Sequence, residues 1–357
     1  MRRLLLSLAV AAVLVGLAVY RAGPELAFSR LAAVSLPVFA AALAVQTLTL
    51  VGKAWRWKVA LRAASGSPVR GAVRASLIGF AGNLVLPARL GEIVRVHLVA
   101  QENRLPRSLA LTAVGLTQFF DLLLLAGLLL ALSFLVATEL LVDRRLLLGL
   151  LAAGLAGLIL LAAAQRRSAS LSRWADRASR IWPRPLRRAA VYYVGQFAAG
   201  LRLLGDRRQR CVVLLQTLGI WTLEVLGVLL GMAAFDIPAD PAAAATLVVV
   251  YYLAFLMPLT PGNAGPHQWL TVLVLGGFGV PEYAALAFSL GMQAACTGLV
   301  LLLGGLCVVR TGLSACRPDE PTPPSPEPLS LELQVPRRRS ERAVHGASAA
   351  PVANGSR

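Results

Sequence analysis

Apolar residues dominate the chain in long runs, and polar positions gather between them. Segments 4–20, 31–52, 108–136, 146–164, 211–232 and 284–309 each approach or exceed the roughly 20 residues that cross a bilayer as a helix. Two more apolar stretches are interrupted. Segment 75–100 breaks at Pro87, and segment 242–278 breaks across Pro258-Leu-Thr-Pro-Gly-Asn-Ala-Gly-Pro266. Pro258, Pro261 and Pro266 remove amide donors there, and Gly262 and Gly265 permit positive φ. The pattern predicts an all-α, polytopic helical membrane protein with about six full spans and two Pro/Gly-broken helix pairs.

The polar intervals orient these elements. The loop after 31–52 carries Lys53, Arg56, Lys58, Arg62, Arg70 and Arg74 with no acidic residue, which places it in the cytoplasm. Trp55 and Trp57 fit an aromatic interface belt. Segment 165–210 is rich in arginine against Asp176 and Asp206, so it is cytoplasmic as well. Within it, Leu186, Ala190, Val194, Phe197, Leu201 and Leu204 recur at the spacing of an amphipathic helix on the inner leaflet. The run at 4–20 follows Met-Arg-Arg without a small-x-small cleavage site. A retained first helix with its amino terminus inside is expected.

An even number of crossings must separate the two basic loops, and segments 108–136 and 146–164 supply them. Segment 75–100 is therefore expected to enter from the cytoplasmic side and return. The same parity makes 242–278 a pair entering from outside, because Arg310, Arg317 and Arg337 to Arg339 favour an inside tail. Opposed broken helices meeting near the midplane are the layout of an inverted-repeat transporter. Residues 1–310 are read as one transmembrane domain and 311–357 as a Pro-, Ser- and charge-rich disordered tail.

Composition agrees. Hydrophobic residues make up 57% of the 357 and charged residues only 15%, more apolar matter than a soluble interior holds. The formal net charge of +18 would suggest nucleic acid in a soluble chain, but here it lies in loops facing anionic lipid. Cys211, Cys296, Cys307 and Cys316 form no CxxC and read as thiols. The histidines, His97, His267 and His345, sit in no HExxH, and neither a GxSxG nor a Walker loop is present, so no enzyme, metal or cofactor is expected. His267, in a Pro/Gly turn, is read as a hydrogen-bonding residue in preference to a proton carrier.

The chemistry concentrates at the breaks. After Pro87, Arg89, Glu92 and Arg95 are three apart and share a face of the resumed helix. Asp121 and Glu224 lie mid-span, where a carboxylate costs about 2.5–3.5 kcal/mol to insert and needs a partner or a cavity. Arg89 and Arg95 are the expected countercharges for Asp121 and Glu92. Two readings stand for this set: an ion-pair network that fixes packing, or a site whose arginines bind phosphate, helped by free amides where helices restart after Pro87 and Gly265.

Asn83, Pro87, Arg89, Gly91, Glu92 and Arg95, read as N-x-x-x-P-x-R-x-G-E-x-x-R, resemble the signature of the lysylphosphatidylglycerol synthase transmembrane-region family. Pro258, Pro261, Gly262, Gly265 and Gln268, read as P-x-x-P-G-x-x-G-x-x-Q, resemble its second signature, and the likeness runs from about residue 4 to 309. It implies a flippase-like protein. Three departures matter: the second signature usually ends in Glu where this chain has Gln268; Thr117-Gln118 stands before Asp121 where the family often has Glu-Arg; and the tail is too short for an aminoacyl-transferase domain, so no synthesis of lysyl-lipid is expected.

These readings lead to an inner-membrane translocator for an anionic lipid headgroup. Asn83, Arg89, Glu92, Arg95, Asp121 and Glu224 are its expected inner-side site, and Gly262, Asn263, Gly265 and Gln268 shape the outer half. The alternative is a non-catalytic scaffold subunit of a cell-envelope enzyme docking through 165–210. A third reading is a lipid-linked transferase with an intramembrane carboxylate site. Membrane lipids are the expected partner, a second copy or an envelope enzyme the further candidates, and nucleic acid is excluded.

Overall fold

The computed structural model describes residues 24–86, 89–135, 206–256 and 260–311, with isolated positions at 16, 148, 149, 152, 155–157 and 177. The chain divides into two compact units, Met1–Gly312 and Leu313–Arg357, and every described residue lies in the first. Apart from those isolated positions, the expected helix at 4–20 and the span at 146–164 lie outside the described residues, as do nearly all of the basic segment 165–210, Pro87, Pro258 and the tail beyond 311.

Among the described residues the structure is helical, without strands. A short α1, Pro24–Ala32, is followed by α2, Leu36–Ser65, and then by α3, Ala72–Val85, and α4, Leu90–Asn103. A long α5 covers Arg107–Leu135 and α6 covers Arg207–Ala234. α7, Pro241–Leu256, leads through a single 3₁₀ turn, Pro261–Asn263, into α8, Pro266–Gly277, and α9 closes the set at Glu282–Thr311. Four of these, α2, α5, α6 and α9, are long and apolar enough to cross a membrane. They match four of the expected spans. Their outward faces keep Leu48, Phe134, Leu215 and Leu302 exposed, which suits a hydrocarbon surround.

α2 differs from the sequence expectation. It does not stop at Gly52 but runs on to Ser65, where the Gly66 amide, in left-handed conformation, donates to the Arg62 carbonyl at 2.9 Å. Lys53, Arg56, Lys58 and Arg62 therefore belong to the helix and not to a loop. Charge did not end it, because Arg and Lys are good helix formers and their interior members find carboxylates. Trp57 is fully buried, so of the two tryptophans only Trp55 is exposed as an interface anchor would be.

α2 and α6 run antiparallel. The Ser35 amide donates to the Ala234 carbonyl at 2.9 Å at one end, and Arg56 reaches Thr217 toward the other. The first broken pair, α3–α4, starts just beyond the carboxyl end of α2. The second, α7–α8, starts just beyond the carboxyl end of α6. The two pairs thus enter from opposite ends of the α2/α6 unit, and at their tips Gly262 lies against Leu84.

Local sequence sets each break. Leu86, preceding Pro87, is extended (φ −89, ψ 141), as the proline ring demands of its predecessor, and this ends α3. α3 and α4 then return on each other with little side-chain bulk between them. A Cβ on Gly79 would sit 2.8 Å from both Arg95 Cβ and the Gly91 carbonyl oxygen. At the base of this hairpin the Arg70 amide donates to Asn103 Oδ1 at 2.8 Å, and Arg74 pairs with Glu102 at 2.8 Å. In the second pair Gly265 (φ 92) turns the chain into Pro266, the first residue of α8. Elsewhere small residues admit close approach: Gly231 faces Phe288 and Met292, and Gly291 faces Phe235.

Candidate functional site

A cavity of about 410 Å³ lies where the two broken pairs meet the long helices. Its size is that of a small-molecule or headgroup site. α2 contributes Gln46, Leu50, Lys53 and Trp57 as a stripe at helical spacing, with Arg56 beside it. Asn83, Arg89, Glu92 and Arg95 come from the first broken pair, Thr117, Gln118 and Asp121 from α5, and Trp221 and Glu224 from α6. The second broken pair supplies Tyr251, Tyr252, Phe255, Gly262 and His267, and α9 supplies Gln293.

Three ion pairs are built into the wall. Arg56 holds Asp121 through two N–H···O bonds of 2.6 Å each, and its Nη1 also donates to Thr217 Oγ1 at 2.8 Å. The Trp221 indole N–H donates to the same carboxylate at 3.1 Å. All four side chains are buried. Lys53 pairs with Glu224 across α2 and α6. Arg95 pairs with Glu92, its Nε donating at 2.7 Å, while the other Glu92 oxygen accepts from Asn83 Nδ2 at 3.2 Å. The Arg95 guanidinium lies between rings, 4.9 Å from the Trp57 centroid and 5.5 Å from that of Phe80.

Arg89 is different. It is the residue before α4 and holds a left-handed backbone (φ 57, ψ 33) that non-glycine residues adopt rarely. Its guanidinium lies 5.9 Å from the Phe255 ring centroid, at the tip of the other pair, and no carboxylate pairs with it among the described residues. The cavity lining holds Lys53, Arg56, Arg89 and Arg95 against Glu92, Asp121 and Glu224. One positive charge is left over, and it is Arg89.

The second tip is knit by amides. The Gly265 amide donates to Gln268 Oε1 at 2.7 Å, the Gln268 amide donates to Gln293 Oε1, and Gln293 Nε2 donates to the Gly262 carbonyl at 2.9 Å. His267 stacks on Tyr251 at 4.1 Å and shares a 2.9 Å hydrogen bond with Ser289. That chain continues through Thr271 to the Tyr251 hydroxyl at 2.7 Å.

The residues anticipated from sequence divide accordingly. Asn83, Arg89, Glu92, Arg95, Asp121, Glu224 and Gly262 line the cavity. Gly91 does not; it gives α4 room against Gly79 and Asn83. Asn263, Gly265 and Gln268 form the wall behind Gly262, and the Pro261 backbone carries the 3₁₀ turn. Pro87 and Pro258 lie outside the described residues. Two electrostatic expectations change. The partner of Asp121 is Arg56, because the continued α2 brings that residue to α5, and the Gly265 amide is already occupied by Gln268. The missed lining residues carry one readable signal, the Gln46, Leu50, Lys53, Trp57 stripe, which a loop assignment hides.

A protein-family model described as the lysylphosphatidylglycerol synthase TM region matches residues 4–304. The chain belongs to that family. Membership in the lysylphosphatidylglycerol synthase transmembrane-region family, with the apolar helices above, makes it a multi-pass membrane protein. A curated relative, Glycosyltransferase AglD of Haloferax volcanii, is 28% identical over 263 residues, covering 65% of this chain and 42% of the relative. The chain thus matches less than half the length of that relative. The relative's name corrects the expectation that no enzyme is involved, since it points to one. No solved structure matches the chain.

Proposed function

We propose that this chain is a lipid-handling transmembrane domain that moves an anionic headgroup across the membrane through the cavity, with Arg89 as its anchor. One observation carries the reading: among the described residues every other charged group in the cavity wall has a counterion, and Arg89 does not. An uncompensated guanidinium at membrane depth is costly, and a phosphate entering the cavity neutralises it with matched fork geometry. The α4 amino terminus, immediately after Arg89, adds partial positive charge on the same side.

In this reading Glu92 and Asn83 hold Arg95 and the hairpin tip in place, and the Arg56–Asp121 and Lys53–Glu224 pairs fix the long helices around the path. The opposed entry of the two broken pairs suits alternate opening toward either side. The cytoplasmic membrane, with the α3–α4 base facing the cytoplasm, is the setting the basic residues favour. A second reading, favoured by the name of the Haloferax relative, has the cavity present a lipid-linked headgroup for glycosyl transfer.

The test is reconstitution into vesicles with labelled anionic lipids. Wild type is expected to expose label across the bilayer and Arg89→Gln to fail while remaining folded. No movement by correctly folded wild type overturns translocation, and a new glycosylated lipid in mass spectra supports the second reading.

A further inference from the structure

The cavity wall also speaks to what lies beyond the phosphate. We infer that the headgroup is a phosphodiester whose distal part is uncharged and hydroxyl-rich, and that aminoacylated, cationic headgroups are rejected. This rests on the reading above, that an anionic headgroup occupies the cavity, and narrows it.

A headgroup ammonium needs a carboxylate or an open aromatic cage. Among the described residues every carboxylate in the lining already has a cationic partner, and most of the rings are engaged. Asp121 accepts from Arg56 and Trp221, Glu92 from Arg95 and Asn83, and Glu224 from Lys53. Of the rings, Trp57 and Phe80 flank Arg95, Phe255 lies beneath Arg89, and Tyr251 stacks on His267. An ammonium on the remaining ring faces would stand beside a guanidinium, and the wall is already positive by one charge.

What the cavity does offer is neutral hydrogen bonding. Gln46, Gln118, Thr117 and Thr297 line it. Three lining residues hold buried side-chain atoms without hydrogen-bond partners among the described residues: the Trp57 indole N–H and Arg56 Nε, both donors, and Asn83 Oδ1, an acceptor. A hydroxyl both donates and accepts, so a polyol or sugar meets both needs, and an ammonium, which only donates, meets one.

The experiment is native mass spectrometry of the purified full chain with equimolar phosphatidylglycerol, lysyl-phosphatidylglycerol and phosphatidylethanolamine. Lysylation keeps the phosphate and glycerol but inverts the sign of the headgroup. Phosphatidylglycerol is expected to be retained at least about tenfold over both others, and this preference to be lost in Arg89→Gln. Retention of the lysylated lipid equal to or above phosphatidylglycerol, still dependent on Arg89, overturns the inference while sparing the anion site. Retention of any lipid independently of Arg89 overturns the parent reading and the inference with it. Glycerophosphoglycerol, the water-soluble diester, is added in a separate competition. If it displaces the lipid at equal concentration, the free headgroup is the ligand and the same chemistry stands.

Discussion

Arg56 on α2 and Asp121 on α5 are joined by two parallel hydrogen bonds of 2.6 Å, both side chains buried, although 65 positions separate them in the chain. The pair ties the first long helix, α2, to the second, α5, and among the described residues leaves the arginine at the hairpin tip without a carboxylate. In the proposed reading, stability rests on Arg56 and headgroup binding on Arg89.

Breaking that tie should cost stability. Asp121→Ala strands a buried guanidinium, and a loss of about 3–5 kcal/mol is expected, read as a lowered unfolding midpoint in detergent. The double variant Arg56→Met, Asp121→Leu should recover most of it, because apolar residues of similar volume leave no charge behind. If the single change leaves the midpoint untouched, the pair does not hold these helices together.

Arg89→Gln should do the opposite. With no ion pair to lose, its unfolding midpoint should stay within about 0.5 kcal/mol of wild type. Anionic lipid binding should fall roughly 10- to 100-fold, the worth of one charged hydrogen-bonded contact. Arg89→Lys should recover part of the affinity, as a point charge without the fork. A strongly destabilised Arg89→Gln would show that the side chain is structural.

Gly79→Ala tests the hairpin. Its Cβ would come within 2.8 Å of both the Arg95 Cβ and the Gly91 carbonyl, so α3 and α4 must separate. About 1–3 kcal/mol of destabilisation is expected, with weaker lipid binding because Arg95 shifts from between Trp57 and Phe80. Gly115, whose added Cβ meets nothing within 4 Å, is the control, and Gly115→Ala should be near neutral.

The opposed entry of the broken pairs predicts labelling. Ser67→Cys, at the base of α3–α4, and Ala239→Cys, at the base of α7–α8, are both exposed and should react with impermeant thiol reagents from opposite sides of the membrane. Reaction from the same side would contradict it. The tips are less useful for this purpose, since Gly262 and Leu84 meet inside the structure.

Gln268→Glu tests the second tip. A carboxylate still accepts from the Gly265 amide but cannot donate to Gln293, which must turn and release the Gly262 carbonyl. A loss of about 1–2 kcal/mol is expected in unfolding measurements. An unchanged midpoint would mean that the Gln268–Gln293 link carries no weight.

Much of this was legible in the sequence because proline and mid-span charge leave strong local marks. Pro87 forces Leu86 out of helix, and Asp121 and Glu224 announce that partners must exist. Which partners they take was not legible. Arg56 reads as a loop cation when counted with its basic neighbours, and only the continuation of α2 carries it to α5. Pairing is a tertiary choice among several nearby arginines, and spacing ranks only those on one helix, as it did for Glu92 and Arg95. The overlooked signal was periodic: Gln46, Lys53 and Trp57 keep one helical face through what composition alone labels a boundary.

The most direct test of the central claim, that Arg89 holds an anionic headgroup inside this cavity, is photocrosslinking with an anionic lipid carrying the reactive group on its head, followed by peptide mapping. Wild type should be labelled on cavity residues such as Asn83, Phe255 and Gln293, and Arg89→Gln should lose that labelling while labels on the lipid-facing surface persist. Undiminished cavity labelling in Arg89→Gln, or labelling of the outer helix faces alone in wild type, would contradict it.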